Sequence, residues 1–361
     1  MKAKQNKVLN ILITGVGGGG HGEQILKAIK LSKLKCKIIG ADMSPHSKGL
    51  QEVDIPYLLP PASSADYLKK LLKICEIEKI DAMFHGSEPE LKVMSDNREL
   101  IEAMNVFLPI NPKEVIDICL DKNKTVDFLK TNKFYFPKSV KINSKKDLKL
   151  VDFFPVVLKP SLGGGGSANI LIAQNSGELI TFGTYLLSLY SEFIIQEYVG
   201  TPDSEYTVGV LLSMKGKLIN SIAVKRMIMS GLSNRIKSKN LSGNKKLGEI
   251  LAISSGVSQG EIGRYPKVTK ECERLALALG CTGAVNIQCR LHDNKVYVFE
   301  INPRFSGTTS LRAMVGYNEP EVLIKEEFFG EKSKKKFTYK AGFIMRGLEE
   351  KYIETLKLKT V

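Results

Sequence analysis

Polar side chains of the kind that bind metal ions and phosphate alternate along one segment close to the C-terminus. Residues 296–309 read VYVFEINPRFSGTT, which places Glu300 and Asn302 on the same face of an extended strand and Arg304 just beyond it. Carboxylate and amide oxygens suit Mg²⁺, and the arginine fork binds phosphate oxygens in pairs. The segment therefore predicts a metal and phosphate site, although one wet face of a sheet would alternate in the same way.

The segment before it, residues 284–290, has the same alternation, with Asn286 and Gln288 on one face and apolar residues on the other. A three-residue turn at 292–294 would place the apolar residues of the two strands opposite each other: Cys289 with Tyr297, Ile287 with Phe299 and Val285 with Ile301. The polar residues of both strands would then share one face. An even-length turn would mix the faces and bury a carboxylate among aliphatic side chains, so we expect the three-residue turn.

A glycine-rich loop follows another strand-like segment. Residues 154–160 form an apolar run that carries Lys159 near its end, and a further strand is predicted at 169–173. Between them lie the residues that a phosphate-binding loop would use: Gly163, Gly164, Gly165, Gly166 and Ser167. Glycines let backbone N–H groups approach phosphate oxygens without a Cβ in the way. The loop lacks the Gly-Lys-Ser/Thr sequence and the following helix of a Walker motif, and a plain hairpin turn is the alternative.

The apolar run at 193–199 breaks at residues 200–204 and resumes at Glu205. A broken strand leaves backbone groups that can bond the edge of an adenine ring. Glu197 and Glu205 flank the break, where either carboxylate could reach a ribose or a magnesium ion. An ordinary strand, loop and strand is the alternative explanation.

The first hundred residues alternate strand-like and helical segments. Strands are predicted at 8–14, 37–41 and 80–84, with a short segment near 107, and helices at 23–34, 65–75 and 90–104. Such alternation is typical of a doubly wound parallel sheet. The segment 85–90, which contains Glu88, would lie at the carboxyl edge of this sheet, where ligands bind. It is therefore a candidate for substrate recognition.

Gly15, Gly17 and Gly20 fit the G-x-G-x-x-G spacing of dinucleotide-binding sites, and Asp42 ends the next predicted strand. This spacing keeps an NAD-dependent oxidoreductase that uses the 15–20 loop as an alternative. Four consecutive glycines satisfy almost any glycine pattern, however. The same loop can also bind an anionic substrate or merely turn the chain.

The 361 residues include 53 lysines and arginines against 38 acidic residues, a formal net charge of +15. These basic residues are spread along the chain, which has no Trp and no basic-aromatic motif of RNA-binding proteins. The charge therefore favours small anionic ligands over nucleic acid. A basic stretch rich in Ser, Gly and Asn at 225–258 suits a mobile loop that could cover an acidic substrate or an acyl phosphate, and a solvated basic loop is an equally good alternative.

Six cysteines without a Cys-x-x-Cys pair indicate reduced, mostly buried residues. The basic N-terminus lacks the apolar stretch of a signal peptide, and no apolar run could span a bilayer. We therefore expect a cytoplasmic protein that does not associate with membranes.

Taken together, Lys159, the glycine loop, the broken strand and the Glu300-x-Asn302-x-Arg304 strand resemble the ATP-grasp superfamily over residues 121 to about 330. The sheet before them looks like the pre-ATP-grasp domain, and Asn286-x-Gln288 is similar to the large subunit of carbamoyl phosphate synthase. The resemblance implies a mixed α/β and α+β fold, in which a Rossmann-like doubly wound sheet precedes two ATP-grasp subdomains. The implied divisions are a first domain at 1–113, a lid subdomain at 114–195, a C-terminal subdomain at 196–330 and a basic tail at 331–361.

The resemblance also implies an ADP-forming ligase, which activates a carboxylate as an acyl phosphate and transfers it to an amine or another nucleophile. The residues that would contact ATP are Lys122, Lys159, the 163–167 loop, Glu197, Glu205 and the backbone of Tyr198 and Val199. Mg²⁺, or Mn²⁺ in its place, would be held by Gln288, Glu300 and Asn302, with a neutral amide at Gln288 where most members have a carboxylate. The catalytic residues would be Arg304, Lys159 and Glu300. A homodimer is compatible with this interpretation, and a non-catalytic ATP-binding module is a further alternative.

Overall fold

The computed structural model describes residues 7–162, 169–355 and 357–361. Its N-terminal part is a parallel sheet of four strands in the order β3-β2-β1-β4: β1 Leu9–Thr14, β2 Cys36–Asp42, β3 Ile55–Leu58 and β4 Ala82–Phe84. Helix α1 (His21–Lys30) covers one face of this sheet, and helices α2 (Tyr67–Glu78) and α3 (Glu88–Asp96) cover the other. Helices on both faces confirm the predicted doubly wound sheet.

The alternation along the central strand explains this arrangement. Ile11 and Ile13 of β1 join the core under α1, whereas Leu12 between them joins the core under α2, and all three are fully buried. Two details of the prediction were wrong. Strand β3 was missed because its four residues include a proline, and the helix predicted at 90–104 is divided into α3 and a short α4 (Arg98–Glu102).

A second sheet, which we call the lid sheet, has four antiparallel strands in the order β5-β8-β6-β7: β5 Ser139–Ile142, β6 Val156–Pro160, β7 Leu171–Ala173 and β8 Phe193–Glu197. It follows helices α5 (Lys113–Leu120) and α6 (Lys122–Thr131), and helix α7 (Ser176–Leu189) packs against one of its faces. The predicted glycine loop at 163–167 lies outside the described residues. The subdomain boundary predicted at residue 196 falls inside β8, so the lid sheet extends to the end of that strand.

The largest sheet has six antiparallel strands in the order β15-β14-β9-β10-β13-β16: β9 Glu205–Leu212, β10 Leu218–Arg226, β13 Gly260–Gly263, β14 Ala284–His292, β15 Lys295–Asn302 and β16 Gly342–Ile344. Helix α8 (Pro266–Ala278) packs against one face, where Cys272 and Leu275 share a core with Val208 and Ile287. The polar residues of β14 and β15 lie on the opposite face, which is therefore available to form a site.

The connection between β14 and β15 differs from the prediction. The turn contains two residues, Asp293 and Asn294, both with positive φ (45° and 65°), as a tight hairpin turn requires. A β-bulge at Phe299 then shifts the register by one residue: Cys289 pairs with Val298, Gln288 with Glu300 and Asn286 with Asn302. The expected three-residue turn and its apolar pairs were wrong, because the bulge rather than the turn keeps the polar residues on one face.

The basic stretch after β10 contains a hairpin where a loop was expected. Strand β11 (Asn234–Lys239) pairs with β12 (Ile250–Ser254). Its basic residues occupy the exposed positions of β11, and Ile236 between them packs with Ile172 and Leu251. The prediction failed because Ser, Asn and Lys favour strands only weakly by themselves.

The C-terminal part contacts both the N-terminal parallel sheet and the largest sheet. Helices α9 (Thr309–Met314) and α10 (Glu319–Phe329) pack near α1, and residues of α10 share a core with β1. Strand β16 lies within the C-terminal tail, and Lys359 forms a parallel bridge with Tyr57 of β3. Among the described residues, every helix is too short or too polar to cross a membrane.

Candidate functional site

A deep cleft lies between the lid sheet and the largest sheet. Its walls are mainly apolar and aromatic: Val157 and Ile170 lie on the lid side, Tyr297 and Phe299 on β15, and Ile253 on β12. The space between these walls is roughly 770 Å³, a figure that includes open solvent. The β-bulge turns Phe299 toward this cleft, whereas the predicted register had placed it on the apolar core face. The sequence prediction included none of these five residues in the site.

Lys159 and Lys122, both predicted to contact ATP, line this cleft. Lys159 is only 6% exposed, and its ammonium group donates a hydrogen bond to the Phe299 carbonyl oxygen at 3.1 Å. Burial and the neighbouring charge of Lys122 lower the pKa of Lys159 from 10.5 to about 7, against the opposing charge of Glu300. A buried lysine in this state would gain its proton most readily when an anionic ligand such as a phosphate lies beside it.

The strand breaks after β8, as predicted, but part of the backbone at the break is already hydrogen-bonded within the protein. The Tyr198 N–H donates to the Pro155 carbonyl at 3.0 Å, and the Val199 carbonyl accepts from Arg290 Nη1 at 3.1 Å. An adenine ring could therefore bond only to backbone groups of the break that these two hydrogen bonds do not use. Glu197 is exposed and lines the cleft, and its contact with ribose stays a prediction.

Glu205 is the centre of a buried charge network. It is 2% exposed, and its two carboxylate oxygens accept from Arg226 Nη1 at 3.1 Å and from Arg290 Nη2 at 3.0 Å. Burial alone would raise the pKa of Glu205, but the two guanidinium charges lower it. Both arginines also donate to backbone carbonyls around the cleft: Arg290 to Val199 and Ala252, and Arg226 to Ser255 and Val257. The contact of Glu205 with ribose or metal stays a prediction, because the structure places two arginines on its carboxylate.

The predicted metal ligands Gln288, Glu300 and Asn302 lie side by side on β14 and β15. Glu300 Oε2 accepts from Gln288 Nε2 at 2.5 Å, while the amide oxygens of Gln288 and Asn302 accept from Arg226 and Arg304. Oxygen-bearing side chains on one polar face fit a hard divalent cation such as Mg²⁺. Among the described residues, however, no group of three or more His, Cys, Asp or Glu could hold a metal. The binding of a cation by Gln288, Glu300 and Asn302 stays a prediction.

A second, polar cavity continues from Glu300 away from the apolar cleft. It encloses roughly 560 Å³, including space open to solvent, and hydroxyl groups of Thr207, Ser255, Ser258 and Thr308 line it together with charged and amide side chains. Glu300 and Gln288 line both cavities. The two cavities therefore meet at the predicted metal site.

Arg304 lines the polar cavity but is ion-paired. Its Nη2 donates to Glu88 Oε1 at 2.6 Å and to Asn302 Oδ1 at 2.8 Å, while its buried Nε has no partner among the described residues. Glu88 begins α3, so the N-terminal domain supplies a carboxylate to the site, as expected for the segment 85–90. The contact of Arg304 with phosphate stays a prediction, and the structure adds that Glu88 would have to share or release this arginine.

Residues of the same chain occupy the space beside Gly17 in the N-terminal glycine loop at residues 15–20. The Gly17 N–H donates to Asp42 Oδ2 at 2.9 Å, and Ser47 takes the space that a Cβ at position 17 would need. The close approach that this glycine permits is therefore used by a neighbouring serine and is not left for a pyrophosphate. In a dinucleotide-binding site the carboxylate at the position of Asp42 would bind a ribose, but here it accepts the hydrogen bond from Gly17. These contacts weigh against the NAD-dependent alternative.

Comparison with known protein families agrees with this geometry. The ATP-grasp domain family matches residues 119–308, more than half of the 361 residues, including the lid sheet and the β14–β15 hairpin. The chain belongs to the ATP-grasp family. A second family, described as the PylC-like N-terminal domain, matches residues 11–108, which contain the parallel sheet.

Two carbamoyl phosphate synthase large chains are among the similar proteins of curated function. The chain is 23% identical to that of Thermoplasma volcanium over 353 residues and 26% identical to that of Helicobacter pylori over 324 residues. These matches cover 88% and 84% of this ATP-grasp chain but only 32% and 27% of the two relatives. The chain thus spans about a third or less of their length.

Solved structures of ATP-grasp proteins share the fold at low identity. The biotin carboxylase domain of Hydrogenobacter thermophilus 2-oxoglutarate carboxylase matches with a TM-score of 0.64 and 14% identity, over 91% of this chain and 72% of that one. The L-amino acid ligase from Bacillus licheniformis matches with a TM-score of 0.61 and 19% identity, over 90% of this chain and 74% of that one. Both confirm the predicted arrangement of a doubly wound sheet followed by an ATP-grasp fold.

Proposed function

We propose that this ATP-grasp protein is an ADP-forming ligase, which activates a carboxylate as an acyl phosphate and transfers the acyl group to an amine or similar nucleophile. The observation that carries the proposal is the position of Glu300, which lines both the apolar cleft and the polar cavity. A nucleotide base in the cleft and a small polar substrate in the cavity would meet at this carboxylate. The names of the relatives support this class of reaction, since they include carbamoyl phosphate synthases and an amino acid ligase.

The first step would be attack of a substrate carboxylate oxygen on the terminal phosphorus of ATP, with cleavage of the bond to ADP. Negative charge lies on the transferring group, and the cations nearest to it would be Lys122 and Lys159 in the cleft and Arg304 in the cavity. Mg²⁺ held by Gln288, Glu300 and Asn302 would supply further charge neutralisation, with Mn²⁺ as a substitute. In the second step the nucleophile attacks the acyl carbon and phosphate leaves, so no side-chain nucleophile is needed.

Hydroxylamine tests the proposal because it traps acyl phosphates as hydroxamates. The protein is incubated with ATP, Mg²⁺, hydroxylamine and pools of amino acids, hydroxy acids and dicarboxylic acids. We expect hydroxamate and ADP to form in equal amounts and only when a suitable carboxylate is present. Formation of AMP and pyrophosphate would contradict the acyl phosphate. Binding of ATP without turnover in any pool would indicate a non-catalytic ATP-binding module.

Replacing Glu300 by glutamine should reduce turnover more than ATP affinity, because the metal's main effect is on the charge that moves during phosphoryl transfer. We expect Glu300→Gln to lower the rate of hydroxamate formation on the order of 100-fold, with a smaller change in the Kd for ATP. Isothermal titration and the hydroxamate assay measure the two quantities. Glu76→Gln, whose side chain is 66% exposed on α2, is the matched control. Equal losses of turnover and affinity would contradict this role of Glu300.

A further inference from the structure

The polar cavity contains a carboxylate that the reaction described so far does not use. We propose that Glu88 binds the ammonium group of the acceptor, and that the acceptor is a small, polar primary amine. The ammonium group gives one proton to solvent, the neutral amine attacks the acyl carbon, and the departing phosphate takes the second proton. This inference rests on the proposed ligase function and deepens it, because it names both the acceptor class and the residue that recognises it.

The first argument comes from the charges that line the cavity. Among the described residues, Glu88 and Glu300 are the carboxylates of its lining. Glu300 also lines the apolar cleft and bonds to Gln288, so its charge faces the metal and the phosphates. Glu88 approaches from the N-terminal domain and lines the cavity from there. It is therefore the negative group that remains for a cationic amine.

The second argument is that the fold holds Glu88 at the cavity wall. Ser87 caps helix α3 by accepting a hydrogen bond from the Glu90 N–H at 3.3 Å, and Pro89 occupies the first turn. Glu88 itself is the first residue of the helix, and its side chain is 23% exposed. The carboxylate is thus positioned by the helix start and still accessible to a ligand.

The third argument is an exchange of partners at Arg304. In the structure Arg304 and Glu88 form an ion pair, with 2.6 Å between Arg304 Nη2 and Glu88 Oε1. Burial alone would raise the pKa of Glu88, but the charge of Arg304 and its hydrogen bond lower it, so the carboxylate is ionised at neutral pH. A phosphoryl group that enters the site competes for Arg304, because a guanidinium can bind phosphate with two hydrogen bonds. Glu88 then loses its ion-pair partner, and the ammonium group of the acceptor can take that place beside the carboxylate.

The lining of the cavity determines the class of amine. Its described side chains carry hydroxyl, amide or charged groups, and Gly256 and Gly307 add backbone alone. An apolar substituent would remove water from these polar groups without replacing their hydrogen bonds, which is unfavourable. A small amine with polar substituents, such as glycine or serine, can replace those bonds.

Neutral and cationic acceptors separate the role of Glu88 from the formation of the acyl phosphate. Hydroxylamine is largely uncharged near neutral pH and needs no carboxylate partner, whereas ammonium ion, glycine, serine and leucine carry a positive nitrogen. Wild-type protein and Glu88→Gln receive ATP, Mg²⁺, the pooled carboxylates and one acceptor at a time. We expect Glu88→Gln to retain hydroxamate formation within about threefold. Its kcat/KM for glycine and serine should fall roughly 10- to 100-fold, mainly through KM, because a charged hydrogen bond is lost.

Two further variants make the result specific. Glu88→Asp keeps the charge and should recover part of the use of glycine, and Glu76→Gln on the surface of α2 should behave as wild type. Equal loss with hydroxylamine and with glycine in Glu88→Gln would overturn the proposal, because Glu88 would then act through Arg304 on phosphoryl transfer. Unchanged use of glycine would also overturn it, and a preference for leucine over glycine and serine would overturn the amine class. A wild-type protein that forms no hydroxamate would overturn the ligase function itself, and the assignment of Glu88 with it.

Discussion

Replacing Lys159 by methionine should stabilise the protein while it abolishes ATP binding. Methionine has a similar length and no charge. In the structure the Lys159 ammonium group is buried near the positive charge of Lys122, with a hydrogen bond to the Phe299 carbonyl. The lysine is thus placed where a phosphate can use it, at a cost to the stability of the nucleotide-free protein.

The size of the effect follows from the pKa of Lys159, which burial lowers from 10.5 to about 7. At about 1.36 kcal/mol per pKa unit, this difference corresponds to roughly 5 kcal/mol. Loss of the hydrogen bond to Phe299 offsets about 1 kcal/mol of that amount. We therefore expect Lys159→Met to raise the free energy of unfolding by about 3 to 4 kcal/mol at pH 7 and below.

The gain in stability from Lys159→Met should decrease as the pH rises above 7. Below pH 7 Lys159 is charged in both the folded and the unfolded protein, and the cost of burying the charge is fully present. Between pH 7 and 10.5 the unfolded chain binds more protons than the folded protein, so the wild type becomes more stable as the pH rises. The advantage of methionine should shrink by about 2 kcal/mol between pH 7 and pH 9.

Urea unfolding without nucleotide at pH 6, 7 and 9 measures this difference, and isothermal titration measures ATP binding. Lys124→Met, at an exposed position of the same helix as Lys122, is the control for a simple loss of positive charge. The reasoning is refuted if Lys159→Met is less stable than wild type at pH 6. It is also refuted if the advantage of methionine is the same at pH 6 and pH 9.

Two further predictions concern the polar interior beneath the site, and urea unfolding checks both. Glu205→Gln should lower the free energy of unfolding by about 3 to 5 kcal/mol, because it leaves two buried arginines without their carboxylate. Glu271→Gln, which breaks a surface pair, should cost less than about 1 kcal/mol, and similar values for both variants would argue against the buried network. Gly209→Ala should cost about 1 to 3 kcal/mol, because its Cβ would overlap the buried guanidinium of Arg312. Gly231→Ala, which has open space around its Cβ, should be nearly neutral, and an equally stable Gly209→Ala would show that Arg312 can move.

The site residues that could be predicted are those whose types and spacing are recognisable within one short segment of sequence. Glu300, Asn302 and Gln288 alternate on neighbouring strands, and alternation alone places them on one face. Lys159 ends an apolar run before a glycine loop, a combination that local sequence also displays. By contrast, Arg290 alternates in the same way as Gln288, yet nothing local distinguishes a buried arginine from one in solvent.

The details that failed depended on hydrogen-bonding geometry between strands. In a regular hairpin only the three-residue turn keeps the polar residues of both strands on one face, but the β-bulge at Phe299 adds one unpaired residue and makes a two-residue turn compatible with that face. As a result, Phe299 and Tyr297 line the apolar cleft and do not join the core under α8. The sequence prediction therefore missed the apolar residues that line the cleft, although it included Gln288 and Glu300, which line the cleft as well.

The amino-acid sequence alone was enough to predict the doubly wound sheet, the ATP-grasp domain and a strand pair whose polar side chains share one face. Which groups meet at that face depends on how separate elements pack together. Glu88 and Arg304 are separated by 216 positions, and Glu205 reaches Arg290 across 85. Periodicity acts over a few residues through backbone geometry, whereas such pairs form only when separate elements pack together and burial forces their charges to find partners.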